Sequence, residues 1–201
     1  MEPPALTELR VAGDPAAWAS AGFAVADGRL AAGGVTLALV PGGGGILDWA
    51  LTEIRAAGID GLPTRRGGGG APAAGDNPNR VTAIDHVVVL TPQLERTAAA
   101  LEEAGIELRR LREGETGMGA RRQAFFRLGR PILEVVEAHE LASEEPARFW
   151  GITFETADLD AAAELLGERL GRVKDAIQPG RRIATMRREA GLGVPVALIS
   201  G

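Results

Sequence analysis

The sequence contains no cysteine and only two histidines. The absence of cysteine excludes disulfide bonds, thiolate metal sites and a cysteine nucleophile. Imidazole chemistry, whether acid–base or metal-ligating, is limited to His86 and His139. The chain therefore has few side chains with which to build a metal centre or a nucleophilic site.

The sequence also lacks a long apolar run and an excess of positive charge. No segment approaches the ~18 apolar residues of a membrane span, and the opening Met1-Glu-Pro-Pro has neither the basic start nor the apolar core of a signal peptide. A net charge of −5 argues against a general nucleic-acid surface. We therefore expect a cytoplasmic protein of ordinary globular composition that binds neither nucleic acid nor membranes.

The most regular pattern in the chain lies between residues 81 and 139. The β-branched run Val81–Leu90 predicts a buried strand, and Gln93–Ala104 predicts a helix that Thr91 caps and Gly105 ends. Three strand-like runs follow between glycine-rich segments: Ile106–Arg112, Arg121–Leu128 and Pro131–Glu137. The predicted order of elements is β-α-β-β-β.

The same order recurs after the acidic loop Glu140–Pro146. Phe149–Thr156 predicts a strand, Asp158–Leu170 a helix with Asp158 as its N-cap, and three strand-like runs complete the unit by Ser200. Repetition at a period of roughly 60 residues is the main architectural signal in the sequence. A generic α+β domain would explain the elements but not their repeated order.

A shorter version of the pattern precedes both units. Strands are predicted at Leu6–Ala12, Phe23–Ala26, Arg29–Ala32 and Val35–Val40, with a short helix from Asp14-Pro15 to Ser20. Further on, Leu47-Asp48-Trp49 lines up with Ile84-Asp85-His86, which predicts Trp49 in the place of the histidine.

The predicted organisation has three parts. Residues 1–60 form a diverged N-terminal β-α-β-β-β module, 61–80 a flexible Gly/Pro/Ala-rich linker, and 81–201 a paired-module domain (81–139 and 148–201). Because the N-terminal module is one short of a pair, it leaves open strand edges. We expect it to pack on the C-terminal modules or on a second subunit in a homodimer.

Strand alternation within residues 81–139 places two polar side chains together. His86, Val88 and Leu90 share one face of the first strand, with Asp85 on the other, while Glu134 lies on one face of the last strand with Ile132 and Val136. An imidazole and a carboxylate can then share a concave face.

The segments Ile84-Asp-His-Val-Val-Val, Arg122-Gln-Ala-Phe-Phe-Arg-Leu-Gly129 and Ile132-Leu-Glu-Val-Val-Glu137 together resemble the vicinal oxygen chelate superfamily. This superfamily includes glyoxalase I, methylmalonyl-CoA epimerase, extradiol dioxygenases and bleomycin-resistance proteins. The resemblance implies a glyoxalase-like α+β fold in which two modules pair into an incomplete eight-stranded barrel around a cavity. It also implies a metal ligand from the first strand of each module and a carboxylate ligand from the last.

Only half of that ligand set is present in this sequence. The resemblance places His86 and Glu134 as ligands, with Gly151 and Ala197 where the second module would supply the other two. A divalent ion (Zn, Ni, Mn, Fe or Mg) would then be weakly held. The cavity is expected to be lined by residues of both modules, namely Gln123, Phe125, Trp150, Thr153 and Thr185.

Two functions are consistent with these residues, besides a role of the paired modules mainly as a dimer scaffold. The first is a small-molecule-binding protein with a degenerate metal site, in which His86 is either a ligand or a hydrogen-bonded core histidine. The alternative is a metal-dependent lyase, isomerase or dioxygenase acting on a small oxygen-rich substrate, in which Glu134 moves a proton.

Overall fold

The computed structural model describes residues 2–56, 58–68, 76–116 and 119–201. Its first sheet has six strands: β1 (Leu6–Ala12), β2 (Arg29–Ala32), β3 (Val35–Val40), β4 (Ile46–Leu51), β5 (Gly58–Ile59) and β6 (Leu62–Arg66). Its second sheet has eight: β7 (Val81–Thr91), β8 (Leu108–Thr116), β9 (Gly119–Arg127), β10 (Ile132–Glu137), β11 (Arg148–Thr156), β12 (Lys174–Asp175), β13 (Arg182–Thr185) and β14 (Val196–Ser200). The helices are α1 (Pro15–Ser20), α2 (Leu94–Glu103) and α3 (Leu159–Leu166). None of the described helices is long and apolar enough to cross a membrane.

The second sheet consists of two β-α-β-β-β modules joined at their first strands. The strand order is β12-β13-β14-β11-β7-β10-β9-β8. From either edge to the centre, the strands are the second, third, fourth and first of one module. The first strands β7 and β11 pair antiparallel at the centre, and each pairs in parallel with the last strand of its own module. Because β8 and β12 stand at the two edges, the barrel is incomplete. The predicted α+β, glyoxalase-like fold is confirmed.

Local sequence signals account for where the helices begin. The side chain of Asp158 accepts a hydrogen bond from Ala161 N at 2.9 Å, and that of Asp14 accepts one from Ala16 N at 2.9 Å. Thr91 does not cap α2 directly, because Gln93 occupies the N-cap position. The Thr91 hydroxyl instead accepts a hydrogen bond from Gln93 N at 3.1 Å, just before the helix begins.

The first sheet has the same central topology in shortened form. Its order is β2-β3-β1-β4-β6-β5, with β1 and β4 antiparallel at the centre and each flanked by a parallel strand. The N-terminal region thus contains two shortened halves rather than one module. The strand predicted at Phe23–Ala26 is wrong, since only Ala26 makes an isolated bridge, to Arg29. Phe23 instead turns into the core, where its ring contacts Trp18 and Phe154.

The segment predicted as a linker (61–80) is structured at both ends. β6 lies within it, pairs in parallel with β4 and antiparallel with β5, and its Leu62 is buried. Near the other end, Asn77 accepts a hydrogen bond from Ala24 N at 2.8 Å and Asn79 donates one to Ala21 O at 2.8 Å. These amide side chains satisfy buried backbone groups in place of apolar contacts. The middle of the predicted linker, 69–75, lies outside the described residues.

One hydrophobic core joins the two sheets. The first sheet packs against the helix-covered face of the second, where Trp49 contacts Phe149 edge-on with ring centroids 5.1 Å apart. Trp49 is fully buried in this core. It therefore lies on the core-facing side of the first sheet, whereas His86 lies on the side of the second sheet that faces away from the core. The prediction that Trp49 replaces the histidine is wrong. The N-terminal region packs on the C-terminal modules, which is one of the two arrangements expected from the sequence.

The outer face of the first sheet carries a network of ion pairs. Arg65 lies 2.7 Å from Asp48 and 2.8 Å from Glu8, Arg10 lies 2.9 Å from Asp48, and Arg29 also pairs with Glu8. Burial acts to raise the pKa of Glu8, but hydrogen bonds from Arg65 and Arg29 and their positive charges outweigh burial and lower it.

We expect Glu8→Gln to lower the free energy of unfolding at neutral pH by at most about 1 kcal/mol, because Arg29 and Arg65 are half exposed. A lowered folded-state pKa stabilises the fold above the unfolded pKa, and this contribution is lost as pH falls through the folded value. The difference between the variant and wild type should therefore shrink on acidification. Denaturant titrations from neutral to acidic pH measure it, with the exposed Glu2→Gln as the control. A difference that grows on acidification would contradict the assignment.

Candidate functional site

A cleft of about 240 Å³ opens on the face of the second sheet that points away from the helices. Most of its walls come from β11, β13, β14 and the segments beside them, with a smaller contribution from the first module. It is lined by Val88, Gln123, Glu134, Val136, Trp150, Ile152, Thr153, Ile177, Ile183, Thr185, Pro195, Val196 and Ala197. Four of the five predicted cavity residues, Gln123, Trp150, Thr153 and Thr185, are therefore among the lining residues.

Phe125 is the predicted cavity residue that does not line the cleft. It pairs with Glu134 across β9 and β10, but the cleft is centred on the second module and reaches β9 only at Gln123. The place of Phe125 in the cavity therefore stays a prediction.

The walls of the cleft are apolar and its polar groups are few. Glu134 is the one charged side chain among the described residues that line the cleft, and Thr153 and Thr185 supply hydroxyl groups. Trp150 and Ile177 are 40% and 57% exposed, which places them where the cleft meets solvent. A site of this kind favours a ligand with an apolar body and one polar end.

Glu134 is held in place by a neighbouring amide. Gln123, which is 4% exposed, donates a hydrogen bond from Nε2 to Glu134 Oε1. The other amide atom, Gln123 Oε1, is buried and has no hydrogen-bond partner among the described residues. A buried acceptor without a partner is uncommon and marks a place where a donor is missing.

His86 lies behind Glu134 rather than in the wall of the cleft. Its Nε2 is 3.5 Å from Glu134 Oε2, and its Nδ1 is 2.7 Å from Asp85 Oδ2. Asp85 Oδ1 lies in turn 2.7 Å from the Nη1 of Arg181. Since an ionised carboxylate only accepts, the ring donates its Nδ1–H to Asp85 and directs Nε2 towards Glu134.

A β-bulge explains how two consecutive strand residues come together. His86 pairs with Thr153 and Ile84 pairs with Phe154, so Asp85 is an extra residue in β7. A bulge of this kind re-aims side chains. It puts Asp85 on the same side as His86, whereas simple alternation predicted opposite faces. Alternation predicts neither Asp85 nor Arg181 as part of the site, and no local signal in the sequence marks the bulge.

The charge of Asp85 is stabilised by its two partners. Burial acts to raise the pKa of Asp85, but hydrogen bonds from His86 and Arg181, together with their charges, outweigh burial and lower it. Asp85 is therefore a carboxylate that orients the imidazole, as carboxylates do behind histidines in many sites.

The residues present do not fit a tightly held metal ion. His86 Nε2 and Glu134 Oε2 are close enough to contact one ion, at the roughly 2.1 Å typical of zinc. However, the described residues contain no group of three or more His, Cys, Asp or Glu side chains that could hold an ion. Gly151 and Ala197 contribute no ligand atoms from their side chains.

The space beside Gly151 is occupied by another segment of the backbone. A Cβ on Gly151 would lie 2.9 Å from Pro195 O and 3.2 Å from Pro195 Cβ, so the segment before β14 fills the space of a side chain. Ile152 N also donates a hydrogen bond to Pro195 O at 3.0 Å. Glycine at this position thus permits close packing of two backbones.

We expect Gly151→Ala to destabilise the fold by about 1–3 kcal/mol, because the added methyl group overpacks against Pro195. The control is Gly43→Ala, where an added Cβ meets nothing within 4 Å. Denaturant midpoints of the two variants measure the difference. Equal midpoints would mean that Pro195 moves away from Gly151 without cost.

No protein-family model matches the sequence, and no curated protein matches it. Among solved structures, the chain is similar to methylmalonyl-CoA epimerase from Mycobacterium tuberculosis, with 17% identity over 60% of this chain and 89% of that chain and a TM-score of 0.49. It is also similar to a variant of the Streptomyces coelicolor methylmalonyl-CoA epimerase in complex with 2-nitronate-propionyl-CoA (22% identity, 60% and 98% coverage, TM-score 0.48). A hypothetical protein from Bacillus halodurans gives 12% identity, 59% and 93% coverage and a TM-score of 0.47.

Methylmalonyl-CoA epimerase is a member of the vicinal oxygen chelate superfamily, the superfamily that the sequence motifs resemble. Identities below 25% and TM-scores below 0.5 do not carry an activity to this chain.

Proposed function

We propose that this protein binds a small molecule in the cleft between the two modules of the second sheet. The observation that supports the proposal is the chemistry of the walls: apolar side chains enclose one carboxylate, Glu134, and one buried amide oxygen without a partner among the described residues, that of Gln123. A ligand that fills the cleft displaces water from it. Its binding buries apolar surface and supplies the missing polar partner.

A weakly held divalent ion is the second candidate. It is supported by the short distance between His86 and Glu134 and by Asp85, which orients the imidazole as a carboxylate behind a metal-bound histidine does. With two protein ligands, such an ion would need water or the bound molecule to complete its shell. In this alternative the protein is a metal-dependent lyase, isomerase or dioxygenase, and the ion would polarise an oxygen of the substrate.

A cleft-filling variant tests the binding proposal. Ala197→Phe places a ring in the cleft, and Ala19→Phe makes the same change at an exposed position of α1. A library of small amphipathic molecules is screened by ligand-observed NMR in the presence of a chelator. We expect ligands that bind wild type and Ala19→Phe but not Ala197→Phe. The absence of any ligand, or equal binding to all three proteins, would overturn the proposal.

A cytoplasmic homodimer, the predicted state of the protein, belongs to the same proposal. Static light scattering of the purified chain tests the oligomeric state, and a monomer at all concentrations would exclude the dimer.

A further inference from the structure

Glu134 differs from the neighbouring carboxylates in having no arginine beside it among the described residues. Asp85 pairs with Arg181 at 2.7 Å, and Glu137, on the same strand as Glu134, lies 3.6 Å from Arg122. In the part of the chain that the structure describes, the ion-pair contact of Glu134 is with His86 alone, at 3.5 Å, and its hydrogen bond comes from the neutral amide of Gln123. Its side chain is 17% exposed.

A carboxylate withdrawn from water without a full positive partner is costly, and a cation that enters the cleft relieves that cost. The cleft offers a second feature that suits a cation. The indole of Trp150 lines it and is 40% exposed, and indole is the best aromatic partner for a positive charge. Since no lysine or arginine is among the lining residues that the structure describes, an acidic ligand would meet only the negative charge of Glu134 there.

We propose that the ligand of the cleft is an organic amine. Its ammonium group pairs with Glu134 beneath Trp150, and its apolar or aromatic body lies against Val88, Ile152 and Ile183. Gln123 Oε1, which is buried and has no partner among the described residues, accepts a hydrogen bond from the same ammonium group once the Gln123 side chain shifts towards it. This inference rests on the proposed small-molecule binding and assigns it a chemical class.

Three probes of one shape test the inference: 2-phenylethylamine, 2-phenylethanol and phenylacetate. They share an aromatic ring and differ in the charge of the head group. Titrations by calorimetry or NMR use wild type, Glu134→Gln and Glu155→Gln, all in a chelator so that no metal ion contributes. Glu155→Gln removes a carboxylate that pairs with Arg130 and does not line the cleft. In Glu134→Gln the new amide oxygen would still accept the hydrogen bond of Gln123, so the variant retains the local packing.

We expect wild type and Glu155→Gln to bind the amine about 10- to 100-fold more tightly than the alcohol, and phenylacetate least of all. In Glu134→Gln the preference for the amine should disappear while the alcohol still binds. Equal binding of the three probes to wild type, or an amine preference that survives in Glu134→Gln, would overturn the inference and leave small-molecule binding standing. No saturable binding of the amine would overturn it too, and if the library screen also finds no ligand, the proposed function fails with it.

Discussion

Replacing Trp18 with alanine should destabilise the entire chain by about 3–5 kcal/mol, the cost of truncating a large aromatic in a packed core. Trp18 is fully buried, and its ring contacts Phe23 and Phe154 with centroids 5.0 and 6.1 Å away. Its Nε1 donates a hydrogen bond to Leu192 O at 3.1 Å. One side chain of α1 therefore supports β11 and the segment before β14, and its loss leaves both a cavity and a buried carbonyl without a partner.

Thermal and chemical unfolding of Trp18→Ala and of wild type measure this effect, with Trp150→Ala as the matched control. Trp150 is 40% exposed at the cleft, so its truncation should cost far less. Because the two sheets share one core, we expect a single cooperative transition that shifts as a whole in Trp18→Ala. Two separate transitions, with residues 81–201 unaffected by the substitution, would instead mean that the two sheets unfold independently.

The sequence predicts the strands and helices correctly wherever hydrophobic periodicity and helix-capping residues are clear. The β-branched run of β7, the Asp158 cap of α3 and the repeated order of elements predict both modules of the second sheet and their pairing. The N-terminal region is less readable because its strands are short and its second half begins after a glycine-rich segment, Gly42-Gly-Gly-Gly45. Short strands carry too few alternating residues to separate a strand from a buried loop, which is why the strand predicted at Phe23–Ala26 is wrong.

The sequence predicts the site only in part. Glu134 follows from alternation and from the family resemblance, since both report the register of regular strands, and four of the five residues predicted for the cavity line the cleft. Asp85 could not be predicted, because a bulge is a tertiary irregularity that shifts one residue against its partner strand. Arg181 likewise reaches Asp85 from a turn before β13 that is 96 residues away in sequence. The close approach of Pro195 to Gly151 is equally invisible until both backbones are placed.

Ala197→Glu should raise the affinity for a divalent ion by about 100-fold. Loss of a residue that only supports a metal ligand already changes metal affinity by about 10–100-fold, and the added glutamate would be a ligand itself. Ala197 pairs with Thr153, which pairs with His86, so the three residues form one row across β14, β11 and β7. Neighbouring strands lie roughly 4.8 Å apart, which puts Ala197 about 10 Å from His86. A glutamate and an imidazole can span that gap towards one ion, which Glu134 would share as the third ligand.

Calorimetric titration with zinc, nickel, manganese and magnesium measures the gain, with Ala19→Glu as a control for an added surface charge. Adding His86→Ala to Ala197→Glu should abolish the gain, because it removes one of the three ligands. The denaturant midpoint of His86→Ala alone distinguishes a ligand from a structural histidine, whose loss should cost roughly 1–3 kcal/mol because Asp85 Oδ2 loses its hydrogen bond. If Ala197→Glu binds every ion as weakly as wild type, the missing second-module carboxylate is not what limits metal binding, and the cleft is a site for organic ligands alone.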